Sequence, residues 1–222
     1  SAERVETRQD AYPLELFLCD GCGHLQLLDV VDPEILFRDY VYVSSTSPLF
    51  VKHFQEYAEQ VIRDAAPPER GLVVDVGSND GTFLKAFQER GLRVLGVDPA
   101  REIARAATDS GVETWPAFFT DEVAATIERD HGPASIVAAN NVFAHVDDLD
   151  GMTEAIRGLL TPDGLFVFEV SYLLDVVNDT LFDTVYHEHL SYHAVRPLEA
   201  FFRRHDMELI DVRRVPTHGG SL

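Results

Sequence analysis

The run Leu72-Val73-Val74-Asp75-Val76-Gly77-Ser78-Asn79-Asp80-Gly81-Thr82-Phe83 constrains this chain more than any other stretch. Residues 72–76 read as a short buried strand, Gly77 to Gly81 as a tight turn, and Thr82 onward as the start of a helix. Glycines framing such a turn permit unusual dihedrals and leave bare backbone against which a ligand can lie. The spacing is acidic-x-Gly-x-x-x-Gly, which differs from the Gly-x-Gly-x-x-Gly of a dinucleotide-binding turn. A pyrophosphate needs a helix N-terminus clear of carboxylates. Asp75 and Asp80 crowd this turn, so it suits a cationic or neutral ligand.

The remainder alternates strand and helix. Strands are expected at 72–76, 92–97, 135–139, 165–170 and 208–213, and helices at 82–89, 101–109, 120–129, 149–160 and 198–204. Such alternation implies an α/β fold, a doubly wound and mostly parallel sheet with helices on both faces. Asp98 ends the second strand, 23 residues after Asp75, where an acid can accept hydrogen bonds from a ribose. Asn140 and Asn141 follow the strand at 135–139. In this order the elements resemble the class I S-adenosylmethionine-dependent methyltransferases, whose fold is Rossmann-like. The cofactor has a sulfonium, an ammonium and no phosphate, in keeping with an acidic turn. The resemblance implies cofactor contacts from Asp75, Gly77, Ser78, Asn79, Gly81, Asp98, Asn140 and Asn141. A purely structural turn with solvated acids is the alternative, and the two asparagines also suit a plain turn.

At 222 residues the chain is long enough for one α/β domain with a small appendage. No run of 18 apolar residues suggests a membrane span. The net charge of −20, from 18 basic and 38 acidic residues, argues against nucleic acid and anionic membrane as partners. An anionic substrate would need a local basic patch, for which Arg196, Arg203, Arg204, Arg213 and Arg214 are the candidates. The start carries no visible signal peptide and the cysteines are too few for a disulfide framework, so a cytoplasmic protein is expected.

Residues 1–13 are polar and read as poorly ordered. Strands at 14–18 and 25–30 flank Cys19-Asp20-Gly21-Cys22-Gly23, a knuckle that is half of a zinc ribbon, since a closed site takes four ligands. Either the chain is cut within a zinc module, or histidines such as His24 complete the site, or the pair is metal-free or redox active. Ser47 and Pro48 then open a helix with Phe50, Phe54, Tyr57, Val61 and Ile62 at helical spacing. Pro67-Pro68 ends it. This divides the chain into residues 1–68, a partial zinc-ribbon module plus lid helix, and residues 69–222, the cofactor-binding domain.

Seven of the eleven residues in Asp183-Thr184-Val185-Tyr186-His187-Glu188-His189-Leu190-Ser191-Tyr192-His193 exchange protons or bind metals. They follow a sheet strand, where α/β folds place their sites. Histidine suits proton abstraction from a carbon acid, and tyrosine suits donation to an enolate oxygen. Metal binding by His187, His189 and His193 is the rival use, although the zincin spacing is absent. A structural role in local capping is the bland one. Several motifs occur together in one order: Asp39-Tyr40 with Tyr42, Gly77-Ser78-Asn79-Asp80-Gly81, Asn141-Val142 with Ala144-His145-Val146, Tyr186-His187-Glu188-His189, and His218-Gly219-Gly220-Ser221. As a set they resemble the sugar C-methyltransferases of deoxysugar biosynthesis, which have an N-terminal zinc module and a C-terminal domain.

By that resemblance the substrate is a nucleotide-linked 4-keto deoxysugar, methylated through an enolate. His189 matches the base, Tyr186 and Tyr40 the hydroxyls near the enolate oxygen, and Glu188 and His145 supporting residues. Cys19 and Cys22 match zinc ligands. The resemblance also makes the chain look like a fragment whose last strand is truncated. His145 as a helix cap, Tyr40 as packing with Tyr42 in its role, and Phe118, Phe119 and Trp115 as core are the alternatives residue by residue. So are methylation of oxygen or nitrogen on another small metabolite, and a non-catalytic cofactor-binding domain.

Overall fold

A computed structural model describes residues 11–222; the expectation of poor order over residues 1–10 lies outside the described residues. In chain order the elements are β1 (Leu16–Leu18), β2 (Leu25–Leu27), α1 (Pro33–Phe37), α2 (Pro48–Ala65), β3 (Leu72–Val76), α3 (Thr82–Gln88), β4 (Arg93–Val97), α4 (Arg101–Asp109), β5 (Thr114–Trp115), α5 (Asp121–His131), β6 (Ala134–Ala138), α6 (Leu149–Leu159), β7 (Leu160–Val167), α7 (Leu173–Asn178), β8 (Ser191–Tyr192) and α8 (Val195–Arg204). Five strands form one sheet in the order β5-β4-β3-β6-β7, every neighbouring pair parallel. This is the Rossmann-like sheet that the strand and helix alternation implies. The chain turns outward to opposite sides from β3 and β6, so a crevice opens at their carboxyl ends.

Alternation along β3 sorts its side chains into two layers. Leu72, Val74 and Val76 join a core with Ile127 of α5, Ile156 of α6 and Phe202 of α8. Val73 faces a second core built on Phe54, Ala58 and Val61 of α2 and Phe83, Leu84 and Phe87 of α3. Thus α2 packs directly on the sheet domain. Its entry is set by Ser47, whose hydroxyl accepts from the Phe50 N–H at 3.4 Å, and by Pro48 at its first turn.

One strand of the main sheet is not among those expected from the sequence, and one expected strand is absent. The edge strand β5 is only two residues long, too short to carry a period. Residues 208–213 form no strand; the backbone just past β7 pairs instead with the last residues. Val170 and Leu222 exchange both backbone hydrogen bonds, at 3.1 and 2.9 Å, and Ser171 bridges Ser221 antiparallel. The 208–213 segment has no ladder; Leu209 packs against the main core, while Ile210 is 68% exposed.

A second, small sheet has the antiparallel order β1-β2-β8. It joins the N-terminal hairpin to residues 191–192. The Leu27 N–H donates to the Leu190 carbonyl at 2.9 Å, and the Ser191 N–H to the Ala144 carbonyl at 3.0 Å. The segment rich in histidine and tyrosine is thereby strapped against the loop after β6, at the carboxyl edge of the main sheet.

The glycine turn is shaped by packing as well as by dihedral angle. Gly77 has φ +70°, and a Cβ there would lie 2.2 Å from Cγ2 of Val142. Gly81 has φ +75°, and its Cβ would meet Val112. The missing side chains therefore admit Val142 and Val112 rather than a ligand. Gly77→Ala should destabilise the fold by about 2–5 kcal/mol, summing left-handed strain and overpacking. Gly91→Ala, at φ +83° with nothing within 4 Å, should cost only the strain. Urea denaturation midpoints of the two variants check this, and equal midpoints would refute the packing argument.

Candidate active site

One cavity of about 500 Å³ lies at the carboxyl ends of β3, β4 and β6. Its wall includes Asp75, Gly77, Ser78, Asn79, Asp98, Asn140 and Asn141 on one side and Tyr40, His145, Tyr186 and His189 on the other. Phe50 and Phe54 of α2 and Phe118 and Phe119 also line it. Gly81 is turned toward Val112. Glu188 stands just behind the wall, half-buried, and its charge is felt by both Tyr40 and Tyr186.

The first side is acidic and has spare polar capacity. Asp75 Oδ1, Ser78 Oγ and both side-chain atoms of Asn140 are buried without a hydrogen-bond partner. Buried polar atoms left unpaired are costly, and clusters of them mark places where a ligand completes the bonding. Burial, aided by the Asp98 charge, pushes the Asp75 carboxyl up to about 8. Burial also raises Asp98, whose oxygens accept at 2.8 Å from the N–H groups of Asn79 and Ala100. A cation would relieve this carboxylate pair and a pyrophosphate would worsen it. The donor set therefore fits a ligand with a sulfonium, an amine and ribose hydroxyls. Trp115 is turned away, its indole N–H bonded to Glu113.

On the second side, geometry fixes one tautomer. His189 Nδ1 lies 2.7 Å from the Thr184 carbonyl oxygen. A carbonyl only accepts, so Nδ1 carries the proton and Nε2 presents its lone pair. The Tyr186 hydroxyl sits 3.0 Å from that Nε2. Burial and the Glu188 charge push the Tyr186 phenol up to about 12, so it stays protonated and able to donate. Burial, followed by Glu188, likewise raises Tyr40. His145 is stacked between Phe37, at 5.6 Å, and His189, at 5.1 Å. Burial and the neighbouring His189 push it down to about 3, so it is a neutral ring, and its buried Nε2 has no partner. It does not cap α6, where Asp148 accepts from the Gly151 N–H.

Other sequence expectations are corrected by their surroundings. The three histidines do not converge. His187 bonds toward the Tyr12 and Pro13 carbonyls, and His193 is buried on Phe143, pushed down to about 3 by burial. Among the described residues no group of three or more potential ligands could hold a metal. Cys19 and Cys22 are exposed, and hydrogen bonds from Cys22 and Gly21 lower the Cys19 thiol. Two thiolates are half of a closed zinc site. His24 does not complete it, since its Nε2 lies 3.2 Å from the Ser191 hydroxyl. Four of the five arginines of the candidate basic patch are paired with acids: Arg203 with Glu199, Arg204 with Asp150, Arg213 with Asp64 and Asp211, and Arg214 with Asp175; Arg196 is exposed. No lysine or arginine lines the cavity among the described residues. No helix of the described residues is long and apolar enough to cross a membrane.

Three features had no signal in the sequence. Phe37 stacks on His145, the Thr184 backbone carbonyl sets the His189 tautomer, and Arg38 lies over the Phe118 ring at 4.8 Å. All depend on tertiary neighbours.

Comparison with known proteins gives the setting. A family model described as a methyltransferase domain matches residues 50–212, and one described as "Putative zinc binding domain" matches residues 1–37. The C-methyltransferase NovU of Streptomyces niveus is 39% identical over 211 residues, spanning 95% of this chain and 50% of that protein. A ubiquinone biosynthesis O-methyltransferase of Ralstonia nicotianae is 29% identical over 124 residues, 52% of each chain. The chain thus spans about half the length of these curated relatives. Among solved structures, the YcgJ protein from Bacillus subtilis aligns with a TM-score of 0.58 at 18% identity, covering 72% of this chain and 71% of that one. Magnesium protoporphyrin IX methyltransferase from Synechocystis, solved with bound SAH, aligns with a TM-score of 0.55 at 16% identity, covering 77% and 80%. At such identities these structures speak for the fold alone.

Proposed function

Because the chain belongs to the class I S-adenosylmethionine-dependent methyltransferases, we propose that it methylates a carbon beside the ketone of a nucleotide-linked 4-keto deoxysugar, with His189 as the base. The observation that carries this reading is the fixed lone pair of His189 Nε2, facing the same cavity as the acidic turn. When bound, S-adenosylmethionine supplies an electrophilic methyl group on a positively charged sulfur. Asp98 holds its ribose, while Asp75, Ser78 and Asn140 take its remaining polar groups; Gly77, Asn79, Gly81 and Asn141 shape the turn and wall around it. The identity to a C-methyltransferase supports carbon as the acceptor.

The chemistry asked of the second side is modest and specific. A proton beside a carbonyl is weakly acidic, so a base and an oxygen donor must act together. His189 Nε2 takes the proton, and the imidazolium that results is stabilised through Nδ1 by the Thr184 carbonyl. Tyr186, released from Nε2, turns its hydroxyl to the enolate oxygen, and Tyr40 shares that load. Glu188 favours the imidazolium by charge, and neutral His145 keeps the His189 ring in plane without repelling it. The carbanion then needs only in-line placement toward the methyl group. Zinc at Cys19 and Cys22 rests on the family model alone and has no part in these steps.

Exchange of substrate hydrogen with solvent tests the base step directly. The protein is incubated in D₂O with a thymidine diphosphate 4-keto-6-deoxysugar and no cofactor. Deuterium should enter at the carbon beside the ketone and be visible by proton NMR. Absence of exchange, with cofactor binding intact by calorimetry, would overturn the enolate route and favour methylation of a hydroxyl.

A further inference from the structure

On the methyltransferase reading above, we propose that Asn79 is a positioning residue that couples the cofactor side of the cavity to the acceptor side. Its backbone N–H donates to Asp98 Oδ2 at 2.8 Å, which fixes it to the carboxylate assigned to the ribose. Its side chain faces the other way. Oδ1 accepts from the Ser44 N–H at 3.0 Å, and Nδ2 donates to the Tyr42 carbonyl at 2.8 Å. The neighbouring Asp80 Oδ2 accepts from the Ser45 N–H at 3.0 Å. These contacts clasp the segment between α1 and α2, which carries Tyr40 into the cavity.

That segment has little else to hold it. Residues 39–43 form neither helix nor strand, and Val41 is 88% exposed. Apart from Arg38, which reaches the Pro99 carbonyl at 3.4 Å, the described hydrogen bonds from residues 38–46 to the sheet domain run through Asn79 and Asp80. Asn79 sits at φ +52°, a conformation asparagine tolerates better than most residues. In that conformation its amide meets Asp98 while its side chain meets the segment that carries Tyr40. A ligand that immobilises Asp98 and the turn removes freedom that docking of the segment would otherwise have to remove. Docking then costs less, and by reciprocity a docked segment raises the ligand's affinity by the same factor. Tyr40 is therefore brought over the acceptor when the methyl donor is in place.

Hydrogen exchange followed by mass spectrometry on the whole chain tests this, with S-adenosylhomocysteine as the probe. In the wild type, the peptide holding the Ser44 and Ser45 amides should exchange more slowly once the probe is saturating. Asn79→Gly keeps the left-handed backbone and removes the side chain. In that variant the peptide should exchange fast without ligand and gain no protection with it, and probe affinity should fall by roughly fivefold or more. Asn79→Asp keeps the acceptor for Ser44 but loses the donor to Tyr42, so it should lie between. In both variants acceptor KM should rise by a larger factor than kcat falls, and unchanged protection of the β3 peptide confirms that the fold is intact. Probe binding to wild type without protection of the Ser44 peptide overturns the coupling alone, as does an Asn79→Gly protein that behaves like wild type. Failure of the wild type to bind the probe at all overturns the methyltransferase reading, and the coupling with it.

Discussion

His189→Asn should lower turnover by about 10²–10⁴-fold, the usual worth of a placed general base, while cofactor affinity stays essentially unchanged. Asparagine can still donate to the Thr184 carbonyl, which His189 Nδ1 meets at 2.7 Å. It has no nitrogen lone pair to offer where Nε2 stood. Asp75 Oδ1, Ser78 Oγ and the Asn140 amide, proposed to meet the cofactor, make no hydrogen bond to this ring. Steady-state kinetics with calorimetry separates the two effects. A parallel loss of cofactor affinity would recast His189 as a structural residue, because its ring also stacks on His145.

Asp98→Ala should weaken S-adenosylmethionine binding by about 10²–10⁴-fold. Two charge-assisted hydrogen bonds at roughly 1.5–3 kcal/mol each are removed, and every 1.4 kcal/mol is about tenfold. The substitution also unties the N–H groups of Asn79 and Ala100, so part of the loss reflects a loosened turn. Asp98→Asn keeps an acceptor without the charge and should lose less. Calorimetric titration measures both variants, with thermal unfolding as the check on integrity. Wild-type affinity in Asp98→Ala would mean that the ribose lies elsewhere.

Much of the donor side was legible because its constraints are local. A buried parallel strand reads as an apolar run, and a turn ending at Gly81 with Asp98 one strand later has a fixed spacing. The acceptor side was legible in residue type but not in geometry. His189 and His193 look equivalent in a list of histidines. Strand β8 intervenes, and His193 follows it into the core against Phe143, while His189 stays at the cavity. The arginines near the end read as a patch because their acids, such as Asp64 and Asp150, are distant in sequence. The run at 208–213 holds the strand-favouring Ile210 and Val212, yet a strand also needs a neighbour to pair with. Asn79 read as one more cofactor contact, since nothing nearby in sequence announces that its side chain holds Tyr42 and Ser44.

The small β1-β2-β8 sheet bears on how this molecule comes into being. Its strands are drawn from near residue 20 and from residues 191–192, so the imidazole segment is seated only after residue 192 has been made. The donor wall, by contrast, is built from residues 72–141 and is available to a nascent chain well before that. Seating that segment closes a loop spanning more than 160 residues (Leu25 to Tyr192), an entropic cost that the short β2-β8 pairing offsets only together with the packing around it.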